Sequence, residues 1–250
     1  MANIGVQLMM VKNEIGDQGM YPVLERIAEL GYRSVEVSQV ATDEANIAGL
    51  ERAKNELGVE VAAMSVGLKK GSTNTGDALD VDFDRVVDNC RRLDCRFTRI
   101  GMMPFDAMVS KDAVVAFAEQ AEEAAQRLAA EGITLAYHNH HVDFAKYDGE
   151  TLFDIVRRVS PTLHFEIDVH WVQRGGRNPV DVLRGDASLR RDLAATVLQA
   201  GDRVVLRTEM AELLHLQQRK DVQLADPPAT VQSITDAGGG TTEPDGVDDA

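Results

Sequence analysis

ELGYRSVEV at 29–37, ELGVEVAAM at 56–64, AEGITLAYH at 130–138 and QAGDRVVLR at 199–207 are four versions of one junction. Each ends a helical stretch on glycine, the residue that accepts the left-handed conformation just past a helix, and enters a β-rich run within a few residues. A chain that repeats this event builds βα units, and βα units in series build a parallel sheet. Working outward from the junctions, the apolar run Ile4–Val11 predicts a first strand and Met20–Leu30 a helix. Ser34–Val40 then predicts the second strand, Asp43–Leu57 a helix and Val59–Gly67 the third strand. Asp82–Leu93 carries Phe83, Val86, Val87, Cys90 and Leu93 at helical spacing, and FTRIGMMP (97–104) follows as the fourth strand. Lys111–Glu131 is a long helix with Ser110 in the N-cap position, and ITLAYHNH (133–140) is the fifth strand. Glu150–Val159 is a further helix, and Pro161 keeps it from running into a sixth strand that starts at Leu163.

At 250 residues the chain has the length of one α/β barrel. The fold expected is a (β/α)8 TIM barrel over residues 1–225, incomplete in that only six or seven strands are recognisable, with a doubly wound open sheet as the alternative. Leu189–Gln199 and VVLRTEM (204–210) fit a helix and a seventh strand, and nothing later resembles an eighth. Residues 226–250 hold Pro227, Pro228, a run of three glycines and several aspartates with no lysine or arginine, so an acidic disordered tail is expected there. An incomplete barrel exposes strand edges, which makes a homo-oligomer a candidate assembly.

Twenty-six basic residues stand against 41 acidic ones, a formal charge of −15, and a surface of that sign repels phosphate backbones, which argues against a nucleic-acid partner. There is no apolar run of membrane-spanning length and no signal-peptide pattern at the start, so no membrane partner and a cytoplasmic location are expected. Cys90 and Cys95 are too few for a disulfide framework or a zinc knuckle, and buried thiols are expected.

The chemistry concentrates in two stretches. In LHFEIDVHWVQRGGRNP (163–179), Leu163, Phe165, Ile167 and Val169 alternate with His164, Glu166, Asp168 and His170, and a period of two puts those four polar groups on one strand face. ITLAYHNHH (133–141) brings His138 and His140 to the end of its own strand. Functional groups of α/β barrels sit at the C-terminal ends of strands, so His138, His140 and Asp168 are candidates to share a mouth. Imidazole with carboxylate suits Zn, Mn, Fe or Co, and the three side chains would supply two or three ligands of an open site; hydrogen-bonded loop histidines are the plainer alternative.

YHNHHVDF (137–144) together with FEIDVHWVQRGGRNPVDVLR (165–184) resembles the sugar phosphate isomerase/epimerase proteins of the xylose isomerase-like TIM barrel superfamily, from Ile4 to about Arg184. The resemblance implies a divalent metal, Mn, Mg, Zn or Co, held at the C-terminal mouth and bound to neighbouring oxygens of a sugar or sugar phosphate. Protein groups would then move a proton through a metal-bound enediolate. By position, Asp168 matches the strand-six metal ligand, and His138 stands where many members have a glutamate ligand that doubles as a base. Asn139 and His140 match the residues that follow that ligand. With His138 in the glutamate's place, the proton-transfer role is open to His138, Glu166 or His170. Glu36 matches a strand-two glutamate that touches substrate, with a salt-bridged structural carboxylate as the alternative, and Trp171 a wall of the sugar site. Lys69 and Lys70 offer a phosphate contact or a solvated basic turn.

The family's strand-seven histidine with Lys-Asp and its strand-eight glutamate have no counterpart: Arg207 and Glu209 stand in VVLRTEM, and His215 lies in a helical context. After about Arg184 the sequence therefore departs from the family by divergence, truncation or a changed reading frame. Three functions follow as expectations. They are a metal-dependent sugar isomerase or epimerase, a metallohydrolase or endonuclease on the same barrel, and a non-catalytic remnant.

Overall fold

The structure, a computed structural model, describes residues 4–71 and 76–183. The expected seventh strand, the helix before it, His215, the 225/226 boundary and the acidic tail lie outside the described residues. So does the QAGDRVVLR junction.

Six parallel strands form one sheet in strictly sequential order: β1 (Val6–Gln7), β2 (Ser34–Val37), β3 (Glu60–Val66), β4 (Phe97–Ile100), β5 (Thr134–His138) and β6 (His164–Glu166). The connecting helices are α1 (Lys12–Gln18), α2 (Met20–Glu29), α3 (Glu44–Leu57), α4 (Phe83–Leu93), α5 (Lys111–Ala130) and α6 (Leu152–Val159). Two short helices follow β6, α7 (Val169–Arg174) and α8 (Pro179–Leu183). The strand order decides between the two candidate folds. A doubly wound sheet reverses direction at a switch point, whereas right-handed crossovers in unbroken order keep every helix on one face. The sheet is the wall of a TIM barrel.

Helix boundaries follow their capping residues. Asp43 accepts a hydrogen bond from the Asn46 amide at 3.0 Å and Ser110 from the Ala113 amide at 3.1 Å, each such cap contributing about 1 kcal/mol. Gly31, Gly58 and Gly132, the three described junction glycines, all have positive φ, where a side chain would be strained. Between helices and sheet, Leu24, Ile47, Leu50, Met64, Leu128, Leu135 and Ile155 are fully buried. Cys90 and Cys95 are buried, unpaired thiols.

Three strand expectations need correction. Only Val6–Gln7 of the first run pairs, because Leu8–Val11 turns into a 3-10 helix that leads directly into α1. The fourth strand stops at Ile100, and residues 101–104 are irregular ahead of a short 3-10 helix, Phe105–Met108. The sixth strand stops at Glu166, so the alternation through His170 does not hold. Asp168 becomes the N-cap of α7, its Oδ1 accepting from the Trp171 amide at 3.0 Å, and His170 and Trp171 lie on a helix. A capping aspartate competes with strand continuation by offering the following amides an acceptor.

Candidate active site

β5 and β6 end side by side in register, His138 opposite Glu166. Beyond that pair the ladder is continued by a side chain. The Asn139 amide donates to the Asp168 carbonyl at 3.2 Å and accepts from the Asp168 amide at 2.8 Å, with Asn139 fully buried. Asn139 thus fixes the backbone of Asp168 against β5.

That clamp sets the geometry of the polar groups. His138 Nδ1 lies 2.9 Å from Glu166 Oε1, and His138 Nε2 lies 3.8 Å from Asp168 Oδ2. Two carboxylates therefore flank one imidazole, one on each ring nitrogen. In the neutral ring, Nδ1–H donates to Glu166 and the Nε2 lone pair faces a carboxylate oxygen. Two acceptors face each other stably only with a proton or a cation shared between them. A separation of 3.8 Å is too long for a hydrogen bond, but one ion at about 2.0–2.2 Å from each atom spans it. The two donors fit a divalent ion. Among the described residues, however, no group of three or more His, Cys, Asp or Glu is placed to hold a metal. His140 does not complete the set. Its ring packs between His138 and Trp171, at centroid distances of 5.0 and 5.2 Å. Burial, with help from neighbouring His138, pulls its pKa down to about 4, so it is neutral near pH 7.

The group at the centre of the mouth that the sequence left unremarked is Arg99 on β4. It is 4% exposed. Its Nε donates to Glu36 Oε1 at 2.6 Å, its Nη2 donates to Ser38 Oγ at 2.9 Å, and its Nε stands 3.4 Å from Glu166 Oε1. Gln7 also donates to Glu36 Oε1, at 3.1 Å. Glu36 is thus ion-paired to Arg99. A signal existed: an arginine inside a parallel strand covered on both faces is buried only with a carboxylate partner. Glu36, Arg99 and Glu166 come from β2, β4 and β6, and in a TIM barrel the side chains of one interior layer come from alternate strands. This layer is charged where most are aliphatic. Burial would push the Glu166 carboxyl up, but the His138 hydrogen bond and the Arg99 charge outweigh it and hold that carboxyl below the usual range.

A second unforeseen cluster shapes the loop after β5. The Tyr137 hydroxyl accepts from the Met103 amide at 3.2 Å and donates to Asp143 Oδ1 at 2.9 Å, while Asp143 Oδ2 accepts from the His140 amide at 2.7 Å. Asp143 is fully buried, and that burial raises its pKa to about 6.

His170 does not share a face with Asp168; it lies on α7 with its ring 5.0 Å from Trp171. Trp171 is half-buried and ringed by cationic or aromatic groups. His141 stacks on it at 5.2 Å and the Arg174 guanidinium stands 5.4 Å from its ring centre. Lys70 donates its backbone amide to Asp80 at 3.0 Å, in a basic turn next to residues outside the description.

With this geometry in hand, comparison with known proteins places the chain. The family described as "Xylose isomerase-like TIM barrel" matches residues 24–243, and the chain belongs to it. The matched span runs on past Arg184. Among solved structures, a sugar phosphate isomerase/epimerase from Parabacteroides distasonis is similar at 18% identity and a TM-score of 0.59, over 74% of this chain and 71% of that one. An AP endonuclease, family 2, from Brucella melitensis is similar at 17% identity and 0.54, over 74% and 75%. A probable 3-DHS dehydratase from Bacillus anthracis is similar at 12% identity and 0.54, over 73% and 69%. At these identities the likeness is one of fold. None of the curated proteins matches the chain.

Proposed function

We propose that the chain is a metal-dependent isomerase or epimerase of a sugar or sugar phosphate. The observation that carries this is the pair His138 Nε2 and Asp168 Oδ2, 3.8 Å apart at the C-terminal ends of neighbouring strands and backed by Glu166. These two side chains would hold a divalent ion, Mn, Mg, Zn or Co. A bound ion supplies Lewis acidity toward a carbonyl and its neighbouring hydroxyl.

The chain's own groups divide the remaining work. Glu166 fixes the His138 ring, as a carboxylate behind a ligating histidine does. Its engagement with His138 and Arg99 makes it a poor proton acceptor, which leaves His170 as the imidazole to take and return a proton. Trp171, half-buried beside it, is the wall against which the apolar face of a sugar packs. His140, neutral near pH 7, packs its ring against that wall.

The test is solvent deuterium exchange at carbon next to a carbonyl, followed by NMR across a panel of ketoses, aldoses and their phosphates with Mn²⁺, Mg²⁺, Co²⁺ or Zn²⁺ added. Metal-dependent exchange is expected. Asp168→Asn should lose both exchange and metal, whereas His170→Asn should lose exchange and keep metal. Absence of exchange across the panel, or full exchange in Asp168→Asn, ends this proposal. The endonuclease alternative has only a fold-level neighbour behind it, and the charge of −15 opposes a phosphodiester polymer as substrate. The inactive-remnant alternative predicts that neither metal nor sugar raises the melting temperature. No helix among the described residues is long and apolar enough to cross a membrane.

A further inference from the structure

We infer that Arg99 and Ser65 form a substrate subsite at the inner end of the mouth, and that the group it takes is a neutral sugar hydroxyl and not a phosphate or carboxylate. This rests on the isomerase or epimerase reading above and deepens it by naming the part of the sugar that lies lowest in the barrel. Two hydrogen-bonding groups carry it. Arg99 Nε donates to Glu36 Oε1, and Nη2 engages Ser38 Oγ and the same Glu36 oxygen. Arg99 Nη1, by contrast, has no partner among the described residues, although the residue is only 4% exposed. Ser65 on β3 stands in register with Arg99 on β4, so both side chains leave the same face of the sheet. Its Oγ is likewise buried without a hydrogen bond. Buried polar groups left this way cost free energy, and one ligand hydroxyl between them would offset it.

Space and position agree with this. Arg99 is in register with Ala136, two residues before His138 on β5, which sets the guanidinium one step deeper than the proposed ion. Its Nε stands 3.4 Å from Glu166 Oε1, the oxygen that also meets His138, so the subsite adjoins that ion. A Cβ added at Gly101 would come 3.2 Å from Nη1, so a glycine there keeps the approach to those N–H groups open. Charge then decides the class of ligand group. The single positive charge of Arg99 already faces two carboxylates, Glu36 and Glu166. Donors are left over at Nη1, but positive charge is not. A phosphate or carboxylate brought here would meet both acids where water screens little, and it has no proton to give Ser65. A hydroxyl accepts from Nη1 and donates to Ser65 Oγ.

The experiment is calorimetric titration of the full chain, with Mg²⁺ added, by the neutral D-pentoses and D-hexoses and their phosphates, then by the monodeoxy analogues of the tightest neutral binder. One deoxy analogue should bind the wild type about tenfold more weakly, the loss expected for one hydrogen bond to a charged group. The sugar phosphorylated at that same position should bind at least as weakly. In Ser65→Ala and in Gly101→Ala, which leave the ion pairs in place, that penalty should shrink to about twofold, because ligand group and side chain act as one coupled pair. Arg99→Lys keeps the charge, lacks Nη1 and should behave alike. Equal penalties in wild type and both mild variants overturn the subsite, and so does tightest binding by a sugar phosphorylated at that position. Those two results leave the isomerase reading standing. If no sugar or sugar phosphate binds, that reading falls and the subsite falls with it.

Discussion

Replacing Arg99 by methionine should destabilise the protein and weaken the contribution of the Glu166 charge to its stability. The guanidinium is 5% exposed and stands between Glu36 and Glu166, whose side chains are 21% and 32% exposed. Removing one partner from a buried ion pair costs about 3–5 kcal/mol, because the remaining charge is desolvated without compensation. Both carboxylates retain some contact with water, so the lower end, about 3 kcal/mol, applies here. Adding Glu36→Gln removes one of the two stranded charges and should recover about half of that loss, roughly 1.5 kcal/mol, so the two sites are coupled. In the wild type, Glu166 is held below its unfolded value, so its contribution is present above that value and is lost as pH falls through the folded one. In Arg99→Met the same carboxyl is buried without a cation. The His138 hydrogen bond remains, so the carboxyl is held down less strongly and the loss of stability on acidification becomes shallower. Urea unfolding of wild type, both single variants and the double variant at pH 7 and through the range below about pH 5 measures all of this. A loss below about 1 kcal/mol for Arg99→Met at pH 7, or single-variant losses that simply add, would refute the charged-layer reasoning.

Other expectations follow from single contacts. Asp143 has a folded pKa of about 6 against an unfolded 3.8, so between those values the unfolded chain has released a proton that the folded chain retains. Stability should therefore fall by roughly 2 kcal/mol as pH rises from 4 to 6, and Asp143→Asn should lack that segment of the urea-midpoint profile. Gly175→Ala would drive a methyl group into the Phe144 ring and should cost about 1–3 kcal/mol by thermal unfolding; a neutral result would show that the α7 terminus moves freely. Asp168→Ala should lose about 1 kcal/mol through the cap to Trp171, a loss that Asp168→Asn largely avoids while still losing the ion. Asn139→Ala strands both main-chain groups of Asp168 and should cost about 2–3 kcal/mol in the same assay, with metal affinity falling alongside.

What could be read in advance, and what could not, divides along physical lines. Capping serines and aspartates, helix-ending glycines and apolar periodicity act over a few residues, so Ser110, Asp43, Gly58 and Gly132 mark their elements in the sequence. The same short range misleads where two local signals compete. Alternation from Leu163 to His170 predicts a strand, but Asp168 caps a helix, and neither signal carries a weight that settles the matter. His138 and Asp168 stand out in the sequence as candidates because both fall at the ends of strands in stretches that resemble the family's, although a hydrogen-bonded loop histidine is the plainer reading of either spacing alone.

The amino-acid sequence alone determined a repeating βα chain, its junctions and the two polar strand ends, because each of those depends on residues near one another along the backbone. Only the tertiary structure decided that Glu36 is paired to Arg99, that Asn139 bonds both main-chain groups of Asp168, and that Glu166 and Asp168 take opposite sides of one imidazole. Those pairings join β2, β4, β5 and β6 across intervals of 28 to 63 residues, and distance along the chain holds no information about which side chains meet across a barrel.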